Sequence, residues 1–242
     1  MKMRTFQKIS LLLFLAVLLQ MTAPWVSAEP SQGTDGAVLA AEDGDQFYTT
    51  VEAAIAELRE KMTLRDPEVV IRLRLPMKDD NAGANILYGA IEHTGKPKEG
   101  DYLLWHMKEC RLDTVLDTQS GSYEYTFTYR PTYRTTAEQE AAVDRAVEQL
   151  LQRLNVFEAG DYEKIKAIYD YICKNVTYDY FESLLGVNTN IYTAYGALVQ
   201  GYAVCQGYAS LFYRLALELG VDTRVIAGTS RGQSHGWNIV KL

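Results

Sequence analysis

The chain has 242 residues and a formal net charge of −7, with 48% hydrophobic and 23% charged residues. That length holds one large or two small domains, and the composition is that of an ordinary globular protein. The negative balance, with no basic stripe, argues against nucleic acid and anionic membrane surfaces as partners.

Lys2, Arg4 and Lys8 precede a short apolar run from Ile9 to Leu19, and Val26, Ser27 and Ala28 offer small residues for cleavage. This pattern predicts a secretory signal peptide over 1–28, because the run is too short for a comfortable bilayer span. The mature chain is then expected to start near Glu29. It is expected to be secreted or held at the cell surface, with no stable membrane insertion after cleavage. Residues 29–46 are rich in small and acidic residues without a period, and read as a linker.

Residues 47–133 read as a small mixed α/β domain. Thr49 and Glu52 have capping-box spacing, and Val51, Ala54, Ile55, Leu58 and Met62 define one helical face. Val69, Ile71, Leu73 and Leu75 alternate with Val70, Arg72 and Arg74, a half-buried strand stopped by Pro76. Residues 85–93 predict a short helix. Tyr123, Tyr125, Phe127 and Tyr129 alternate with polar residues as a second strand. Its aromatic row is expected to face a core rather than form a carbohydrate or peptide platform. His93 and His106 lack Cys, Asp or His at ligand spacing, so both read as structural and no metal site is expected.

Residues 134–242 read as a second domain. Thr135 or Thr136 caps a helix whose inner side is Val143, Val147, Leu150, Leu151 and Leu154. Asp161 is expected to cap the next, with Ile165, Ile168, Tyr169, Ile172 and Val176 inward. A third helix is expected over 190–200. Cys110, Cys173 and Cys205 are odd in number, which leaves one free thiol in an exported chain. A Cys110–Cys173 bridge and three free thiols both stay open; the scattered spacing favours free thiols.

The chemistry concentrates near Cys205, which lies between Gly201 and Gly207. Tyr208, Leu211, Phe212, Leu215 and Leu219 follow at helical spacing, and Gly220 supplies the stop. Cys205 therefore opens a helix, where unpaired amides favour an anionic, reactive sulfur. His235 is the one histidine downstream. It opens a strand-like run, 237–242, after another over 223–227. A lone cysteine among small apolar residues is commonly a core residue. Cysteine at a helix start followed by histidine on a strand is the joint pattern that points to a nucleophile and its base.

These stretches also resemble a known family. Val204-Cys205-Gln206-Gly207-Tyr208-Ala209, Leu219-Gly220-Val221 and His235-Gly236-Trp237-Asn238 resemble the core of the transglutaminase-like superfamily, whose fold is related to papain-like proteases. Residues 171–179 and 193–199 resemble the segments before the cysteine in bacterial members, so the resemblance covers roughly 136–242. It implies an α+β fold with a Cys-bearing helix packed on an antiparallel sheet, Cys205 as nucleophile and His235 as base. The family places an aspartate on the strand after the histidine strand. No acid follows His235 here, and Asn238, three residues along a strand, falls on the opposite face. The chain thus reads as truncated at its C-terminus.

The expected activity is that of an exported cysteine peptidase or glutamine transglutaminase acting on proteins or cell-wall peptides, with no cofactor. Hydrolysis and transamidation both stay open. The Cys205 amide is the natural oxyanion donor, and Gln200 or Tyr202 is the candidate for a second. No calcium-ligand spacing is present. The alternative is a non-catalytic binding module that retains the fold.

Overall fold

The computed structural model describes residues 9–13, 47–118, 121–181 and 188–242. The linker, and the signal segment apart from 9–13, lie outside the described residues.

The first half is a four-stranded antiparallel sheet under two helices. The strands are β1 (Ile9–Leu13), β2 (Val69–Leu75), β3 (Met107–Asp117) and β4 (Tyr123–Tyr133), in the order β1-β3-β4-β2. The sequence reading places no strand at β1, which pairs along the edge of β3. Tyr125, Phe127 and Tyr129 alternate inward from β4 and are buried, as the core reading of the aromatic row requires. Helix α1 (Val51–Thr63) and helix α2 (Ala82–Ala90) cover that face, with Ala54, Leu58, Met62, Ile86 and Leu87 fully buried. The cap of α1 is Thr50 rather than Thr49: its hydroxyl accepts from the Ala53 amide at 3.2 Å. Helix α2 starts and ends three residues before the expected 85–93.

Helix α3 (Asp101–His106) runs straight into β3, and the sequence reading has neither element. The reason lies in its packing. Leu103 and Leu104 join the first core, while Tyr102 and Trp105 join the second. A helix wedged between two cores carries no one-sided apolar period.

The second core gathers α4 (Ala137–Leu154), α5 (Asp161–Asn175) and α6 (Cys205–Glu218). Thr136 and Gln139 form a capping box on α4. Gly160, not Asp161, is the N-cap of α5, and Asp161 lies in the first turn, where the helix dipole favours a carboxylate. The single helix expected over 190–200 is two short turns, a 3₁₀ turn (Thr189–Tyr192) and a wider one (Gly196–Gln200). Thr193 splits them. Its backbone is extended, and its hydroxyl donates to the Asn190 carbonyl at 2.7 Å and accepts from the Gly196 amide at 3.2 Å. Strands β5 (Thr177–Tyr178) and β6 (Tyr202–Ala203) pair in parallel.

After α6 the chain forms an antiparallel hairpin, β7 (Thr223–Ser230) and β8 (Gln233–Val240). The hairpin packs on α6, with Val225 opposite Asn238 and Arg224 opposite Ile239. The architecture is α+β, with the cysteine-bearing helix on an antiparallel hairpin. All three cysteines are free, so the Cys110–Cys173 bridge is not formed; Cys110 is buried on β3 and Cys173 is exposed on α5. Among the described residues no helix is long and apolar enough to cross a membrane.

Candidate active site

Cys205 is the first residue of α6, and the backbone around it is held tightly. The Val204 amide donates to the Ile191 carbonyl at 3.0 Å, and the Val204 carbonyl accepts from Tyr208 at 3.1 Å. Gly207, in the first turn, leaves no room for a side chain. A Cβ there would lie 2.5 Å from the Ile191 carbonyl oxygen and 2.8 Å from the Ala203 Cβ. Glycine is thus what lets the helix start press against the preceding turn.

The short β5–β6 pairing places Tyr178 beside the same helix start. Thr177 donates to Gly201 at 2.8 Å and Asp179 to Ala203 at 3.0 Å, which fixes the register between them. The Tyr178 hydroxyl lies against both the backbone amide and the sulfur of Cys205. Its pKa is raised, first by burial and then by the neighbouring sulfur, so the phenol keeps its proton. Tyr208 closes this corner by donating to the Val176 carbonyl at 2.6 Å.

His235 lies on β8. Gly236, Asn238 and Val240 face α6: the Asn238 amide donates to the Ala209 carbonyl at 3.0 Å, and Val240 packs on the second core. By strand alternation His235 shares the other face with Trp237 and Ile239. Its ring meets that of Trp237 edge-on, with centroids 4.7 Å apart. The Trp237 ring in turn covers Gly228, where a Cβ would come within 2.9 Å of it.

Cys205 and His235 line one open cleft of about 390 Å³ between α5, α6 and β8, together with Tyr178. The structure thus places both sequence-predicted residues on the walls of one cleft. It does not bring the predicted second oxyanion donors there. Gln200 ends the turn before β6 and Tyr202 is more than half exposed on it, and neither lines the cleft. Tyr178 is the residue that sequence reasoning missed. Among the described residues, no group of three or more His, Cys, Asp or Glu is arranged to hold a metal ion.

Helix α3 braces both sides of the cleft. Buried Asp101 accepts from Arg224 through both carboxylate oxygens, at 2.8 and 2.9 Å, and from the Val225 amide at 2.8 Å. It therefore anchors β7, the partner of the His235 strand. The Trp105 carbonyl accepts from the Gln206 side chain at 2.7 Å, next to Cys205. The Trp105 ring packs flat enough under β8 that a Cβ on Gly236 would lie 3.4 Å from it. Both histidines read as structural have such parts. His106 is fully buried and accepts from the Ala194 amide at 3.2 Å; His93 meets Tyr213 and Asp222.

Cys205 at the start of α6 and His235 on β8 thus line the same cleft. Residues 148–242, under half of the chain, match the model of the transglutaminase-like superfamily, and that part is similar to its members. Among solved structures, the chain is similar to a crystal structure of a TGase at 16% identity and a TM-score of 0.40. That similarity covers 75% of this chain and 53% of the other, so the chain spans about half the length of the structure it matches. No curated protein matches the chain.

Proposed function

We propose that the protein is a cysteine acyl-transfer enzyme acting on peptide bonds or glutamine carboxamides. The observation that carries this reading is the shared cleft of Cys205 and His235, with Tyr178 beside the sulfur. His235 takes the thiol proton as the Cys205 sulfur bonds to the substrate carbonyl carbon. The oxygen of that carbonyl becomes an oxyanion, which the Cys205 amide and the protonated Tyr178 hydroxyl stabilise by donating to it. The C–N bond then breaks, the amine leaves with the proton from His235, and a thioester remains on Cys205. Water completes hydrolysis; a second amine completes transamidation.

The test is a pair of assays, casein hydrolysis and hydroxamate formation from a glutamine peptide, each with a Cys205→Ala control. One of the two activities is expected, lost completely in the variant. Equal turnover by Cys205→Ala would discard the reading.

Export belongs to the same proposal and is supported by the basic start, apolar run and small-residue site before Glu29. Cleavage after Ala28 would also remove β1 and leave β3 as the sheet edge. N-terminal sequencing of protein from the culture medium is expected to begin near Glu29. Membrane-bound material that retains Met1 would count against it.

A further inference from the structure

The cleft beside Cys205 is not symmetric in chemistry. From the sulfur it runs along the α6 face that carries Tyr208 and Phe212, walled by Tyr169 and Ile172 of α5 and by Trp237 of β8. Cys205 and Phe212 are seven helical residues apart, roughly 10 Å at 1.5 Å per residue. That is the span of about three residues of extended peptide. Among the described residues lining the cleft there is no Lys, Arg, Asp or Glu, although the chain is 23% charged. Tyr169 and Trp237 stay accessible, at 61% and 38% exposure, so the apolar wall is open to a ligand.

We propose that this groove is a specificity subsite for an uncharged aromatic or branched aliphatic side chain flanking the reacting residue. The inference rests on the acyl-transfer reading for the chemistry at Cys205, and adds the class of substrate. A charged side chain entering the groove would give up water and meet no counter-charge, whereas an aromatic one would bury its area against Tyr208, Phe212 and Trp237. The selection thus combines attraction for one class with a desolvation cost for the other.

The test separates binding from turnover. Four peptides of the form acetyl-X-Gln-X-amide, with X as Phe, Leu, Lys or Glu, are titrated calorimetrically into the Cys205→Ala protein. The Phe and Leu peptides are expected to bind at least about tenfold more tightly than the Lys and Glu peptides, the discrimination an apolar pocket ordinarily gives. Tyr169→Lys and Tyr169→Glu change an exposed residue at the groove wall, so the fold is retained. The first is expected to improve the Glu peptide relative to Phe several-fold, the second the Lys peptide. Equal binding of all four peptides, binding of none, or ratios unmoved by both Tyr169 variants would overturn the subsite. Preferential binding to Cys205→Ala with no turnover of any peptide by the unmodified protein would retain the subsite and reject the acyl-transfer reading alone.

Discussion

At the scale of single residues, the site divides into what a local pattern can show and what it cannot. Cys205 and His235 stand out because each sits at a recognisable point of the sequence, a glycine-flanked helix start and the approach to a strand-like run. Tyr178 is not, because only the two-residue pairing of β5 with β6 carries it to the sulfur, and no period marks a strand that short. The proposed role as second donor has a direct consequence. Tyr178→Phe keeps the ring packed against Tyr180 and Tyr208 but removes the hydroxyl. Turnover is expected to fall about 10²-fold, the ordinary cost of one oxyanion donor, with KM little changed. Steady-state kinetics on a glutamine peptide check this, and a variant with unchanged kcat would remove Tyr178 from the mechanism.

At the scale of elements, the readings that failed are those in which packing overrides local pattern. The expected helix over 190–200 has the composition of a helix but breaks at Thr193, whose hydroxyl offers the backbone an alternative partner on each side. Helix α3 has no one-sided period because both of its faces are buried. Yet α3 decides where the His235 hairpin lies. Asp101 is almost fully buried and holds three hydrogen bonds, so Asp101→Ala leaves the Val225 amide without its acceptor. A loss of about 2–3 kcal/mol is expected, the desolvation cost of orphaned buried donors. Its partner Arg224 is nearly half exposed, but Arg224→Ala leaves the buried carboxylate with the Val225 amide alone, so a smaller loss of about 1–2 kcal/mol is expected. Urea unfolding of the two variants measures the contrast; equal losses would show that the buried carboxylate is not what anchors β7.

At the scale of the whole molecule, the two cores are joined by buried polar groups rather than by apolar contact alone. Arg65, beside α1, pairs with Glu140 of α4 at 2.9 Å, and Glu140 also accepts from Thr135 at 2.6 Å and Tyr102 at 3.0 Å. Burial raises the Glu140 pKa, but His106, Arg65 and these two donors outweigh it and hold the carboxyl below its usual range. Removing it by Glu140→Ala strands a buried guanidinium, and a loss of about 3–5 kcal/mol is expected in the same urea assay. His106 sits beside this network, its pKa pushed down to about 4 chiefly by burial. The unfolded chain therefore binds the imidazole proton more readily than the folded one between the ordinary histidine pKa and that value. The contribution of His106 to stability is fully present above about pH 6.5 and is lost, by roughly 3 kcal/mol, as the pH drops to about 4. Denaturation midpoints at pH 7 and pH 4.5 are expected to show this, with His106→Asn flattening the acid limb. An unchanged acid limb in that variant would assign the loss elsewhere.

The edge-on contact between His235 and Trp237 has an optical consequence. Protonated imidazole quenches a neighbouring indole, so the emission of Trp237 reports the charge on His235 without substrate or label. The chain holds three tryptophans, and replacing Trp25 and Trp105 with Phe would leave Trp237 as the only emitter. Its intensity across a pH series would then trace His235 in the resting protein, and a second series after alkylation of the nucleophile would register how far that histidine feels the loss of the thiol.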